Sequence, residues 1–341
     1  METKRLTKKD VTQAAEVIAS GGLLGIPTET VYGLGADGLN PEAVHAIFAA
    51  KGRPQDNPLI LHVPSADWLE RYCEDIPAAA YALTERFWPG PLTIILKRKP
   101  LVPNAVTAGL DTVGMRCPAC EVTRLVIEKA DTPIAAPSGN ASGRPSPTSA
   151  AAMLEDMDGK IDAILDDGPC AVGVESTIID LTVAPPRLLR PGGVTLEELE
   201  DALGEVAVDD AVRRLMAPGE QPRAPGMKYR HYAPKAPVTV VKGDPERTAA
   251  YILERLGERS GVICFTEYTD QFTRRLGTKP VMDIGPAADQ AEQARRIFEA
   301  LRAFDRTAVT EIWAQSPTDE GLGLAVTNRL NKAAGFHIIE L

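Results

Sequence analysis

Two cations separated by a single glycine, Lys51-Gly52-Arg53, stand directly before Pro54, and Asn57-Pro58 follows. Glycine and proline together fix the turn. Two cations held on a rigid turn suit a polyphosphate better than a solvated basic face does. The same residues also read as a basic helix end, favoured by the helix dipole, and spacing alone leaves the two readings level. A second stretch, Pro137-Ser138-Gly139-Asn140-Ala141-Ser142-Gly143-Arg144-Pro145-Ser146, mixes glycines with small hydroxyl and amide side chains. Such a run can present backbone N–H groups to an anion, as nests do; otherwise it is an ordinary polar surface loop. Gly173-Val174-Glu175-Ser176-Thr177 adds a hydroxyl pair, and Leu189-Arg190-Pro191-Gly192-Gly193 adds a cation at a strand end.

Two patterns invite chemistry and do not support it. Gly33-Leu34-Gly35-Ala36-Asp37-Gly38 has dinucleotide-type spacing. A dinucleotide fold needs those glycines to open a helix whose N-terminus meets the pyrophosphate, yet the helix start here, Asn40-Pro41, lies beyond the last glycine. A glycine loop needed for backbone turns is the favoured alternative. Cys117-Pro118-Ala119-Cys120 has CxxC spacing, but no second CxxC and no histidine pair of ligand spacing accompany it, so two ordinary thiols are the better reading. No Walker A sequence occurs.

The elements that must position these residues come in two styles. Residues 8–20 place Val11, Ala14, Ala15 and Ile18 on one helical face, and Gly21-Gly22 stops the helix. Short apolar strands are expected at 23–27, 59–63, 92–97, 112–117, 134–136, 164–166, 177–181 and 188–190, with helices around 66–73, 77–88, 121–130 and 148–155. The mixture lacks a strict βα alternation, which points to an α/β (mixed α+β) domain around a large, partly antiparallel sheet. The domain is expected to span residues 1–206. From Val238 the order is more regular: strands at 238–241, 262–265 and 311–314, helices at 245–256, 287–304 and 322–334. This predicts a small parallel, Rossmann-like sheet over 238–341, and no phosphate fingerprint opens its first helix.

Between the two a linker or lid is expected over 207–237, and from Ala217 to Pro237 the composition shifts. Pro218, Pro222, Pro225, Pro234 and Pro237 exclude one helix or a central strand. A linker is the plain reading. Yet Gly226-Met227-Lys228-Tyr229-Arg230-His231-Tyr232 is basic and aromatic, and with Arg223 it suits a lid over a nucleotide. The 341 residues carry a formal net charge of −10, which argues against tight non-specific nucleic-acid binding, since that binding rests on phosphate neutralisation. Five cysteines at irregular spacing do not make a disulfide framework and suggest a reducing compartment. The charged N-terminus lacks an apolar signal segment, and no run approaches the about 18 apolar residues of a membrane span. A cytoplasmic protein is expected.

Several segments together resemble the YrdC-like family: Pro27-Thr28-Glu29-Thr30-Val31-Tyr32-Gly33-Leu34-Gly35, Lys51-Gly-Arg53-Pro-Gln-Asp-Asn57-Pro-Leu, Trp88-Pro-Gly-Pro-Leu-Thr93, Ala135-Ala-Pro-Ser138-Gly-Asn140, Gly173-Val-Glu-Ser176-Thr and Leu189-Arg190-Pro-Gly. They occur in the family's order across residues 5–205. Pro225–Pro234 and the C-terminal hundred residues are similar to the family's long, two-domain form. The resemblance implies a twisted open sheet with a concave active-site face. It implies that L-threonine, bicarbonate and ATP, with Mg2+, give threonylcarbamoyl-AMP and pyrophosphate, and that the product passes to a transferase modifying adenosine in tRNA. Carried over motif by motif, Thr30, His62, Arg116, Ala136 and Ser176 would line the threonine side. Lys51, Arg53, Asn57, Thr112, Ser138, Asn140, Ser146, Arg190 and Tyr232 would form the nucleotide side, with Lys51 and Arg53 catalytic. The rival readings are an RNA-binding regulator using the concave face, and a carbamoyltransferase acting on other substrates. Acidity weighs against the first. The absence of acylphosphatase-like and zinc-finger segments weighs against the second.

Overall fold

The structure, a computed structural model, describes residues 2–214, 216, 222–227 and 231–341. Strands within the first 208 residues make one twelve-stranded mixed sheet. In spatial order they are Lys4–Thr7, Ala163–Asp166, Leu24–Ile26, Gly33–Asp37, Ile134–Ala135, Ile60–His62, Thr112–Arg116, Leu92–Arg98, Thr177–Asp180, Arg187–Arg190 and Ala207–Val208. Cys73–Glu74 pairs off this path against Leu92–Arg98. Parallel and antiparallel pairs are interspersed, as expected for this class.

The period-two alternation of strands decides what each face holds. Leu61, Ile94, Ile179 and Leu188 point into one core with the helices Val11–Ala19, Pro41–Lys51 and Glu121–Ala130. Their chain neighbours Ile60, Ile95, Ile178 and Leu189 point the other way. There Ala211, Met216, Ala224 and Met227, before and within the proline-rich segment, cover them. The segment is therefore docked on the sheet where it is described. Lys228, Tyr229 and Arg230 lie outside the described residues.

A second sheet has the order Val281–Asp283, Ser260–Cys264, Glu311–Gln315, Val238–Lys242 and Ile338–Glu340, with every neighbouring pair parallel. Its helices Gln290–Phe304 and Gly323–Ala333 pack one face, and Val31, Val174 and Tyr232 from the other unit join that same core. Charge ties the units together as well. Arg302 donates to Asp156 at 2.8 Å with both side chains buried, and Arg306 donates to Glu155 at 2.6 Å. Among the described residues, no helix is long and apolar enough to cross a membrane.

The expected helices and strands match closely, with one correction. Gly33–Asp37 is a strand, not a glycine loop, and it pairs antiparallel on both sides. The glycines are there for close approach: a Cβ on Gly35 would stand 2.7 Å from Ile134 Cγ2, and one on Gly38 would stand 2.5 Å from Leu61 Cδ2. The sequence reading also passed over the edge strand Lys4–Thr7 and the helix Leu196–Leu203. That helix has a full capping box between Thr195 and Glu198.

Candidate active site

The helix Pro41–Lys51 aims the first cation. Asn40 caps it by accepting from the amides of Glu42 and Ala43, and Pro41 occupies the first turn. Lys51 is its last residue, and Gly52 takes the left-handed conformation (φ 61°) that reverses the chain. Lys51 is buried, and its ammonium donates to the carbonyls of Ser138 and Asn140. Burial, with Arg53 adding to it, lowers its pKa well below the usual lysine range, while Asp156 opposes the shift. Arg53 turns back to donate to the Pro58 carbonyl at 3.4 Å and reaches the Asn57 carbonyl at 3.5 Å.

The 137–146 loop is stitched to the sheet. Leu34 N donates to Pro137 O at 2.9 Å and Gly139 N to Tyr32 O at 2.7 Å. Ala141 N donates to Asp156, Ser142 N to Lys51 O and Arg144 N to Ala141 O. Half of the loop's eight amides, those of Gly139, Ala141, Ser142 and Arg144, are thus spent on protein acceptors. The loop also turns the side chains of Ser138 and Asn140 to the cleft.

Parallel pairing sets His62 beside Arg116 in register. Arg116 donates to Glu29 at 2.7 Å and to Thr30 Oγ1 at 2.9 Å, and Thr30 shares a 2.8 Å hydrogen bond with Thr28. Burial, reinforced by Arg116, drives the His62 pKa down from 6.5 to about 3, so its imidazole is neutral at physiological pH. Its Nδ1 and the Arg116 Nε are buried with no partner among the described residues, as is Asn140 Oδ1. Buried polar atoms left unmatched in one cleft are available to a bound ligand or water. Arg190 donates from Nε to the Ser176 carbonyl (3.0 Å), from Nη2 to Ser176 Oγ (3.2 Å) and from Nη1 to Pro225 O (3.3 Å).

These groups meet in one cleft. Of the residues expected from sequence, Lys51, Arg53, His62, Arg116, Ala136, Ser138, Asn140, Ser176, Arg190 and Tyr232 line it. Thr30 stands one hydrogen bond behind Arg116, and Ser146 one hydrogen bond behind Glu175, to which it donates at 2.6 Å. Asn57 sits behind Arg53 with its side chain buried. Thr112 opens the strand that Arg116 closes, roughly 13 Å away at about 3.3 Å per residue, and does not line the cleft. Arg223, expected over phosphates, pairs instead with buried Asp180 at 3.0 Å.

Sequence reasoning missed Glu175, which lines the cleft, and Arg329, which holds it at 2.7 Å from the second sheet's side. It also missed Glu29. Both acidic residues lie inside the quoted motifs, so the signal was present without a role. Burial pushes the Glu175 carboxyl up, but Arg329, Arg190 and the Ser146 hydroxyl outweigh it and hold the pKa at about 2. All five cysteines are free, and burial raises the Cys117 thiol to about 11, so the CxxC pair does not offer thiolates. Among the described residues no group of three His, Cys, Asp or Glu side chains could hold a metal.

The Sua5/YciO/YrdC family model, described as "Telomere recombination", matches residues 16–192, and the model described as "Threonylcarbamoyl-AMP synthase, C-terminal domain" matches 194–335. Threonylcarbamoyl-AMP synthase of Pyrococcus abyssi is 47% identical over 99% of this chain and 98% of its own length. Its Bacillus subtilis counterpart is 44% identical over 99% and 97%. A crystal structure of Pyrococcus abyssi Sua5 complexed with L-threonine superposes with a TM-score of 0.89 at 45% identity, covering both chains fully. The chain belongs to the Sua5/YciO/YrdC family, in the form that carries the second, C-terminal domain.

Proposed function

We propose that the chain is a threonylcarbamoyl-AMP synthase, forming that product and pyrophosphate from L-threonine, bicarbonate and ATP, for the modification of tRNA by a separate transferase. The observation that carries this reading is the convergence of four cations, Lys51, Arg53, Arg116 and Arg190, on one cleft of a chain with net charge −10. Every reactant is anionic or becomes so. The threonine amine combines with bicarbonate or CO2 to give a carbamate; a carbamate oxygen attacks the α-phosphorus of ATP, and pyrophosphate departs. Such a transfer needs no covalent nucleophile, and positioning with charge stabilisation carries it.

On this reading Arg116, steadied by Glu29 and Thr30, takes the threonine carboxylate. Neutral His62 and the Ser176 hydroxyl supply uncharged hydrogen bonds beside it. Lys51, Arg53 and Arg190 face the phosphates, and Tyr232 closes the nucleotide side. Burial, with Glu175 nearby, raises the Tyr232 phenol to about 12, so it stays a donor. Glu175 is engaged by Ser146 and Arg329, and no acidic cluster surrounds it among the described residues, so Mg2+ enters with ATP as part of the substrate. The five free thiols suit a reducing, cytoplasmic setting.

Pyrophosphate release measured across all amino acids, with and without bicarbonate, tests the assignment. Release should require threonine, bicarbonate and Mg2+ together. A site with buried groups matched to the threonine hydroxyl should reject valine strongly. Equal rates with serine or valine, or indifference to bicarbonate, would overturn the substrate reading.

A further inference from the structure

The helix Gly323–Ala333 belongs to the second sheet, yet it turns three polar side chains toward the catalytic unit. Asn328 Nδ2 donates to Val212 O at 2.8 Å. Arg329 Nε donates to Glu175 Oε2 at 2.7 Å while its Nη1 donates to Asn328 Oδ1 at 2.9 Å. Lys332 donates to the carbonyl of Gly226, in the segment that covers the sheet. Arg329 is fully buried, and its guanidinium carbon lies 5.6 Å from the Tyr232 ring centroid. Phe298 packs on the same ring at 5.1 Å between centroids.

Glu175 is the carboxylate on the wall of a cleft otherwise rich in cations. An exposed negative charge there would repel a triphosphate. A buried one without a partner would cost several kcal/mol or take up a proton. We propose that Arg329, contributed by the C-terminal domain, is a positioning residue for the nucleotide. It neutralises Glu175, so that Glu175 can brace Ser146 and the Arg190–Tyr232 side of the cleft without repelling ATP. The C-terminal domain then supplies part of the electrostatics of the active site. This rests on the functional reading above. It adds an acting residue to that reading from a helix that does not line the cleft.

The titratable groups facing Glu175 come from several elements: Arg190 from its strand end, Arg329 and Lys332 from the helix, and His231 and the Tyr232 phenol from the proline-rich segment. Removing Arg329 leaves burial working against Arg190 and the Ser146 hydroxyl, with Lys332 beyond them. The Glu175 pKa then rises from about 2, and the partners that remain keep it below the roughly 8–9 that unpaired buried carboxylates reach. Below the new pKa, Glu175 is protonated and harmless to ATP; above it, the bare carboxylate repels ATP. The defect should therefore worsen as pH rises.

The experiment uses the full-length protein as wild type, Arg329→Met, Arg329→Lys, Glu175→Gln and the Arg329→Met/Glu175→Gln double variant. MgATP affinity is read by calorimetry from pH 5 to 9, and KM values by pyrophosphate release. Arg329→Met should weaken MgATP binding tenfold or more at the alkaline end and much less at pH 5, with the threonine KM within about threefold of wild type. Arg329→Lys should recover part of the loss, and adding Glu175→Gln should restore most of it and flatten the pH dependence. A loss that is the same at every pH, or one spread equally over ATP and threonine, or no rescue by Glu175→Gln, would leave Arg329 as an interdomain clamp and sink the proposal. Calorimetry needs no turnover. A wild type that binds MgATP but releases no pyrophosphate would refute the functional reading and leave this test standing.

Discussion

The two sheets treat buried polar groups in opposite ways at the places where α/β proteins bind ligands. In the large sheet, His62 Nδ1, Arg116 Nε and Asn140 Oδ1 converge on the cleft without protein partners. In the C-terminal sheet, the carboxyl end of the strand Glu311–Gln315 is closed from within. Gln315 donates to Pro245 O at 2.8 Å and Thr248 Oγ1 at 2.9 Å, and accepts from Phe265 N at 3.1 Å. Asp244 likewise caps the following helix by accepting from Glu246 N and Arg247 N. A parallel, doubly covered sheet would ordinarily offer that edge to a nucleotide. Here its hydrogen bonds serve folding, whereas the open ones next door await a ligand. A Rossmann-like sheet is thus no guide to where the chemistry sits; the state of its polar groups is.

The largest effect separating the two regions should come from the cleft's cations. Arg53→Ala and Arg116→Ala are each expected to lower kcat/KM by 10² or more, a loss of about 3 kcal/mol of transition-state stabilisation. The first should act mainly through ATP and the second through threonine. Arg116→Ala also strands Glu29, so its circular dichroism must be checked alongside. Near-normal kinetics in either folded variant would contradict the role given to that arginine.

A middle-sized effect belongs to the closed sheet. Gln315→Ala unmakes three hydrogen bonds and leaves the buried Phe265 amide without its acceptor, at a cost on the order of 1–3 kcal/mol. Denaturant unfolding should show that loss, while kcat/KM stays within about twofold. A kinetic defect as large as the stability defect would mean the C-terminal edge takes part in the reaction after all.

How much of this was legible in the sequence follows from the range of each interaction. Asn40-Pro41, the face Val11–Ala14–Ala15–Ile18 and the Lys51-Gly52-Arg53 turn are local signals, and the structure reproduces them. The glycines of 33–38 were misread because a glycine needed for close packing and one needed for a turn look identical until Ile134 and Leu61 are in place. Lys4–Thr7 carries a single buried residue, too little for periodicity to register. The Glu175–Arg329 pair spans 154 residues between two units, and no spacing rule joins them. Arg329 in isolation reads as one more cation on an amphipathic helix.

The last expected effect concerns acid stability, and it again divides cleft from closed sheet. His62 and His231 both line the cleft, and each has a pKa lowered from 6.5 to about 3. Burial is the chief cause in both, reinforced by Arg116 for His62 and by Arg53 and Lys332 for His231. The folded protein therefore binds fewer protons than the unfolded chain between pH 6.5 and 3. Stability fully present above pH 6.5 must fall as the pH drops through that window, by up to about 1.4 kcal/mol per pH unit for each histidine. Glu175, held below its ordinary 4.5, pulls in the same direction but only from about 4.5 down to 2. The interval from pH 6.5 to 4.5 thus separates the histidines from Glu175. Unfolding free energies measured there should slope downward in the wild type and flatten in the His62→Gln/His231→Gln double variant. Gln315→Ala should instead run parallel to the wild type, lowered equally at every pH, because an amide binds no proton in this range. If the double variant keeps the wild-type slope, the acid sensitivity lies outside the cleft, and the contrast between the two regions fails on this count.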